Sequence, residues 1–131
     1  MIVVDTNIVA YYCLNVDLSA AAHRLAQHDP EWHAPELWRS EFRNVLAGEM
    51  RRRNLTMARA QDAMGDAERV LKGRCHRVAS DPVLCLIAET PCTVYDLEFV
   101  VLARELEVPL VTMDRRLLAA FPNIAVPLTS P

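Results

Sequence analysis

Short apolar segments alternate with helical patterns along the whole chain, and this alternation restricts the fold more than any other feature. Strands are predicted at residues 2–4, 32–34, 75–79, 109–112 and 124–126. Helices are predicted near residues 8–14, 19–27, 36–53, 56–72, 81–90 and 93–107, and from residue 115. Strands that alternate with helices are typical of an α/β domain with a mainly parallel sheet. We therefore expect one α/β domain that spans residues 1–131.

The composition agrees with such a domain and excludes several classes of protein. A chain of 131 residues that is 52% hydrophobic can bury a core without disulfides. It contains three glycines, too few for the glycine-rich loops of P-loop or dinucleotide-binding proteins. Its four cysteines form no CxxC pair, which indicates a reducing compartment. We expect no signal peptide and no membrane span, and therefore a cytoplasmic protein.

Charge is distributed unevenly along the chain, although the net charge is only -3. The stretch Arg39–Arg77 contains ten basic residues and five acidic ones. This excess permits a local face that binds a polyanion such as nucleic acid. Arginines that solvate two helices would give the same pattern, and both interpretations stay open.

Two acidic residues follow predicted strands. Asp5 comes directly after the first strand, and Asp114 lies two residues after Thr112 near the end of a later one. In parallel sheets of α/β proteins, ligands bind beyond the carboxyl ends of the strands. The two acids are therefore candidates for a functional site. The alternative is that each one ends a strand and caps the following helix.

Glu41 is predicted to face inward from its helix. With about 100° of rotation per residue, Leu37 and Val45 lie within about 40° of Glu41. Its carboxylate therefore belongs to the apolar stripe of the helix. A carboxylate on a buried face needs a cation or a hydrogen-bonding partner.

Asp96 shows the same pattern on a later helix. Val100 lies about 40° from it, whereas Glu98 and Glu105 lie about 180–200° away and are expected to face solvent. The alternative is that Asp96 stabilises the start of its helix, where acidic residues are favoured.

Four carboxylates in one place repel each other unless a cation lies between them. The only lysine, Lys72, belongs to an unrelated helix, and Arg115 is expected to neutralise one acid at most. Oxygen-rich sites without organised histidine or cysteine suit Mg²⁺ or Mn²⁺. We therefore predict a divalent cation site.

Four segments of the chain together resemble the PIN domain, and more narrowly the VapC-type toxins of toxin–antitoxin systems. These segments are Ile2–Asn7, Ser40–Asn44, Tyr95–Ala103 and Val108–Leu117. The resemblance implies a three-layer α/β/α sandwich with a central, mainly parallel sheet. It also implies that the catalytic and metal-binding residues are Asp5, Glu41, Asp96 and Asp114. The supporting polar residues would be Thr6, Asn7, Asn44 and Thr112.

The function implied by the resemblance is a Mg²⁺- or Mn²⁺-dependent endoribonuclease that hydrolyses single-stranded RNA. A toxin of this type would form a homodimer and be inhibited by a small cognate antitoxin. Candidates for contact with RNA or antitoxin are Arg39, Arg43, Arg115 and Arg116.

Other functions remain as alternatives. A PIN nuclease of RNA processing and a non-catalytic PIN-like module that binds RNA or protein would share these segments. A phosphoacceptor receiver domain would need a lysine after a late strand, which this chain lacks. A phosphatase of the haloacid-dehalogenase type would need an aspartate where Asn7 stands.

Overall fold

The computed structural model describes residues 1–128, and the predicted elements are present there in the predicted order. The strands are β1 (Ile2–Val4), β2 (Trp32–Pro35), β3 (Cys75–His76), β4 (Leu110–Val111) and β5 (Ala125–Val126). The first four helices are α1 (Thr6–Cys13), α2 (Ser19–His28), α3 (Trp38–Arg51) and α4 (Met57–Val70). The remaining helices are α5 (Ser80–Ile87), α6 (Val94–Leu106) and α7 (Arg115–Ala120).

The strands form one parallel sheet with the order β3-β2-β1-β4-β5. β1 lies at the centre, and its three residues are buried. The chain adds β2 and β3 on one side of β1, then crosses to add β4 and β5 on the other. The strand order therefore reverses between β1 and β4, which is where α/β sheets of this kind bind ligands.

Helices cover both faces of the sheet, which confirms the three-layer prediction. On one side, α6 packs against β1 and β2 and carries α5 beside it, while α1 packs with α2, α3 and α4. Trp32 of β2 meets the ring of Tyr12 in α1 edge to face. Both layers matter for the site, because α3 carries Glu41 and α6 carries Asp96.

Threonine caps fix the beginnings of two helices, as the sequence predicted. Thr56 Oγ1 accepts a hydrogen bond from the N–H of Arg59 at 3.2 Å, at the start of α4. Thr93 Oγ1 accepts one from the N–H of Asp96 at 3.1 Å, at the start of α6. The second cap places Asp96 in the first turn of its helix, beside the ends of the central strands.

The strand predicted at residues 75–79 is shorter in the structure. Its pairing with β2 ends at the pairs Ala34–Cys75 and Pro35–His76, and α5 begins at Ser80. Since β3 lies at the edge of the sheet, no second neighbour from residues 1–128 extends the strand. Within residues 1–128, none of the helices combines the length and the apolar character needed to cross a membrane.

Candidate active site

The ends of the two central strands are joined by a buried hydrogen bond between side chains. Thr112, which follows β4, is fully buried and donates from Oγ1 to Asp5 Oδ2 at 2.7 Å. The N–H of Asp5 in turn donates to the carbonyl oxygen of Val111 at 3.0 Å. The carboxylate of Asp5 is therefore held at the point where the strand order reverses.

Asp5 also caps the N-terminus of α1, the helix that follows it. Its Oδ1 accepts a hydrogen bond from the N–H of Thr6 at 2.8 Å, and Asn7 Nδ2 lies 3.4 Å from its Oδ2. Capping and a place in the acidic site are thus compatible, because the two oxygens have different partners. Asn7 also connects the two strand ends, since its Oδ1 accepts from the N–H of Met113 at 3.4 Å.

Asp114 lies beside Asp5 and Thr112, and its two carboxylate oxygens also have different partners. Its N–H donates to Thr112 Oγ1 at 3.0 Å. Its Oδ1 caps α7 by accepting from the N–H groups of Arg116 at 2.8 Å and Leu117 at 3.3 Å. The second oxygen, Oδ2, faces the guanidinium of Arg116 at 3.6 Å.

Glu41 is half-buried on the inward side of α3. Thr6 Oγ1 donates a hydrogen bond to Glu41 Oε1 at 2.7 Å, so α1 and α3 meet at this carboxylate. Burial raises the pKa of Glu41, and the negative charges of Asp5 and Asp96 raise it further against the effect of the hydrogen bond from Thr6. The pKa shift shows that these acids lie within electrostatic reach of one another.

Asp96 is largely buried, with 16% of its side chain exposed. Among the described residues its Oδ2 has no hydrogen-bond partner, and Arg116 Nη2 lies 3.8 Å away. A buried carboxylate oxygen without a partner is costly, and a hydrogen-bond donor or a cation would relieve that cost. This oxygen is the least satisfied polar atom of the acidic group.

Burial raises the pKa of Asp5 to about 6, and the charges of Asp96 and Asp114 act in the same direction. The hydrogen bonds that Asp5 accepts lower the pKa but do not cancel the effect of burial. All four predicted acids are therefore brought into one electrostatic neighbourhood, although they come from separate parts of the chain.

The arginine that contacts the acids is Arg116. Arg115 is exposed and makes no ion pair with them within residues 1–128. Helical side chains point back toward the N-terminus of their helix. Arg116 lies in the first turn of α7, so this direction carries its guanidinium to Asp114 and across to Asp96. Arg116 neutralises two acids in part, whereas the sequence predicted one acid neutralised by its neighbour.

The other predicted contact residues lie away from the acids or on the surface. Arg39 stacks over the ring of Trp38, 5.2 Å from its centroid, and reaches to within 4.0 Å of Glu68 in α4. Arg43 is exposed on α3, and so is Asn44, which was expected to be a supporting polar residue of the site. The structure thus gathers the threonines and Asn7 around the acids but does not bring Arg39 to them.

Glu98 is a correction to the sequence analysis, which placed it in solvent. It is half-buried and lines a cavity of about 110 Å³ together with Val83 and Leu84 of α5. Burial raises the pKa of Glu98, and its charge adds to the effects on Glu41. Helical periodicity identified the side of α6 that faces the sheet, but it gave no sign that α5 covers another side.

Tyr11 was not identified from the sequence. It is half-buried on α1, and its pKa is raised by burial and then by the charge of Asp5. A tyrosine in an apolar helix carries no signal of its own, and its closeness to the acid depends on how α1 leaves β1.

As the side chains stand, no three acidic, histidine or cysteine residues in 1–128 are grouped closely enough to hold a metal ion. The acids are linked in pairs, through Thr6, Thr112 and Arg116. The donor set of carboxylate and hydroxyl oxygens nevertheless has the chemistry that Mg²⁺ and Mn²⁺ prefer. Coordination of one ion would therefore require side-chain rotations that draw the acids together.

Comparison with known proteins gives structural neighbours only, since no family model and no curated protein matches the chain. PAE2754 from Pyrobaculum aerophilum is 24% identical, with a TM-score of 0.77 over 96% of this chain and 89% of that one. A chain of a toxin–antitoxin complex from Klebsiella pneumoniae is 14% identical, with a TM-score of 0.69 over the whole of both chains. These likenesses show that the chain shares their α/β fold.

Proposed function

We propose that this protein is a divalent-cation-dependent endoribonuclease of the PIN-domain type that hydrolyses single-stranded RNA. The observation that carries the proposal is the gathering of Asp5, Glu41, Asp96 and Asp114 where the strand order reverses. Burial is the main cause of the raised pKa of Asp5, which reaches about 6, and the charges of Asp96 and Asp114 raise it further.

The charge balance of the site favours a divalent ion. The guanidinium of Arg116 faces Asp96 and Asp114, its side chain is 61% exposed, and no ion pair within residues 1–128 reaches Asp5 or Glu41. Solvent screens such a contact, so most of the repulsion among the acids remains. Asp5 and Asp96 are our choice for direct ligands. The carboxylate of Asp5 is positioned by the hydrogen bond from Thr112, and Asp96 Oδ2 has no hydrogen-bond partner among the described residues. Glu41 and Asp114 would complete the coordination directly or through water.

In the proposed reaction, water attacks the phosphorus and the bond from phosphorus to the leaving oxygen breaks. The ion, when bound, supplies a Lewis acid that lowers the pKa of water and neutralises charge on the phosphoryl oxygens. Glu41 is suited to accept the proton of the attacking water, because its raised pKa brings it closer to neutral pH. Thr6 and Thr112 hold the acids in position through their hydroxyl groups.

Exposed arginines on the elements that carry the acids suit contacts with the RNA backbone. Arg43 lies on the helix that carries Glu41, and Arg115 follows Asp114 directly. Phosphate contacts of this kind position a nucleic acid without reading its sequence. The proposal therefore includes no base preference.

We extend the proposal to the role of toxin in a toxin–antitoxin pair. The support is the resemblance to VapC-type toxins together with the fold shared with a chain of the Klebsiella pneumoniae toxin–antitoxin complex. A small antitoxin and a homodimer belong to this part of the proposal. The chemistry of the acidic site does not depend on either partner.

Cleavage of a labelled single-stranded RNA in Mn²⁺ tests the nuclease. We expect cleavage by the unmodified protein, none in EDTA, and a loss of at least about 100-fold in Asp96→Asn, the scale of a lost catalytic carboxylate. Glu105→Gln is the matched control, because Glu105 is an exposed acid on the same helix, and it should retain full activity. Cleavage that persists in EDTA, or full activity in a folded Asp96→Asn protein, would contradict the proposal.

A further inference from the structure

We propose that Arg116 is an internal counter-ion of the acidic site that competes with the divalent cation. The inference rests on the proposed function, because competition requires that the acids bind such an ion. The inference adds that a singly charged group of the chain itself, the guanidinium of Arg116, occupies the position between Asp96 and Asp114.

The geometry places one nitrogen between two carboxylates from different helices. Arg116 Nη2 lies 3.8 Å from Asp96 Oδ2 and 3.6 Å from Asp114 Oδ2. Asp96 lies near the start of α6 and Asp114 caps α7, so the guanidinium is an electrostatic link between two elements. Asp96 Oδ2 has no hydrogen-bond partner among the described residues, which leaves Arg116 as its compensating charge.

The contact is one that a stronger cation can displace. Both distances exceed the range of a hydrogen bond, so the pairs are held by charge alone. The side chain of Arg116 is 61% exposed, whereas those of Asp96 and Asp114 are 16% and 23% exposed. The arginine side chain can therefore move into solvent, whereas the less exposed carboxylates stay within the site, where they can rotate toward an ion.

The arginine and a metal ion exclude each other from this position. A guanidinium has no lone pair to offer a metal, and two positive groups between the same oxygens repel. Binding of the ion must therefore displace Arg116, and this displacement weakens the apparent affinity of the site. Replacing Arg116 with a neutral side chain removes the competitor.

The chain supplies a matched control in the neighbouring residue. Arg115 carries the same charge, is exposed, and also lies in the first turn of α7. Removing either side chain changes the net charge equally and leaves the cap intact, because Asp114 receives backbone N–H groups there. A difference between the two variants therefore reports the contact with Asp96 and Asp114 and not the overall charge.

Isothermal titration calorimetry with Mn²⁺ at low salt measures the competition without any RNA. We expect Arg116→Ala to bind Mn²⁺ about three- to tenfold more tightly than the unmodified protein, the scale of one or two exposed ion pairs. Arg115→Ala should stay within about twofold, since its charge is screened by solvent. Arg116→Gln is a second neutral variant and should match Arg116→Ala, while Arg116→Lys should restore weaker binding.

The outcomes separate this inference from the proposed function. Equal effects of Arg115→Ala and Arg116→Ala, or weaker Mn²⁺ binding in both neutral Arg116 variants, would overturn the inference while the metal site stands. Failure of all the folded proteins to bind Mn²⁺ would overturn the metal-dependent function and the inference with it. Circular dichroism of each variant verifies that the proteins compared are folded.

Discussion

At the scale of single residues, the strongest departure from ordinary behaviour within the acidic site is that of Asp5. Its side chain lies in the core, 7% exposed, and its pKa is raised from 3.8 to about 6 by burial and by nearby acids. The fold therefore favours the protonated form. The stabilisation from that proton is complete below about pH 4 and is lost as the pH rises through about 6. At neutral pH the ionised Asp5 opposes folding.

Replacing Asp5 with asparagine should stabilise the metal-free protein at high pH. In EDTA at pH 8, we expect Asp5→Asn to raise the free energy of unfolding by about 1–3 kcal/mol, because the buried charge is removed. The difference should shrink toward zero near pH 4, where the native carboxyl is already protonated. Urea unfolding at both pH values measures it.

Asp17→Asn is the control for this comparison, because Asp17 is exposed in the loop between α1 and α2. It should leave the free energy of unfolding nearly unchanged at both pH values. A destabilised Asp5→Asn protein at pH 8 would show that the hydrogen bonds of the carboxylate outweigh the cost of its charge.

Which single residues could be predicted depended on how local their signals are. Asp5 directly follows its strand and Asp114 lies two residues beyond the predicted end of another, so the sequence alone predicted both at one edge of a parallel sheet. Arg116 and Glu98 depend on contacts between elements that are distant in sequence. The reach of Arg116 from α7 to α6, and the packing of α5 over Glu98, leave no periodic pattern to detect.

At the scale of elements, the position of Asp96 depends on how α6 begins. Thr93 caps this helix by accepting a hydrogen bond from the N–H of Asp96 itself. At its other end, the chain leaves the helix through Glu107 in a left-handed conformation, with φ of 56°. The cap and Asp96 thus belong to one helical turn, so we expect a change in the cap to act on both stability and the proposed activity.

Removing each of the two threonine caps in turn should separate the effect on stability from the effect on the proposed activity. Thr93→Ala and Thr56→Ala should each lower the free energy of unfolding by about 1 kcal/mol, the usual cost of a lost N-cap. Cleavage of RNA should fall in Thr93→Ala, because the first turn that holds Asp96 loosens, and should stay unchanged in Thr56→Ala. Urea unfolding and the RNA assay under strongly native conditions measure the two effects. Equal activity in both variants would show that the cap does not position Asp96.

The threonine-capped starts of α4 and α6 were predicted correctly, whereas the length of the edge strand was overestimated. Threonines followed by helical pattern identified the caps of α4 and α6, since capping depends on three or four consecutive residues. The length of β3 depends on a neighbour in space, and only two of its residues pair with β2. Apolar pattern alone extended it to residue 79.

At the scale of the whole molecule, the site is a consequence of the strand order. β1 and β4 are adjacent although more than a hundred residues separate Asp5 from Thr112. The alternation of strands and helices predicted an α/β domain but not which strands are neighbours. The resemblance to the PIN domain predicted the layered arrangement, and the structure has it. The pairing of the four acids through two threonines and an arginine could not be predicted from the sequence, because it depends on contacts between distant elements.

The most direct test of the account is a crystal structure of the protein with Mn²⁺, using the anomalous scattering of the ion to locate it. The account predicts an anomalous peak within about 2.5 Å of carboxylate oxygens of both Asp5 and Asp96, the distance of direct coordination by oxygen. The absence of a peak among the four acids at saturating Mn²⁺, or a peak bound only by other side chains, would contradict it.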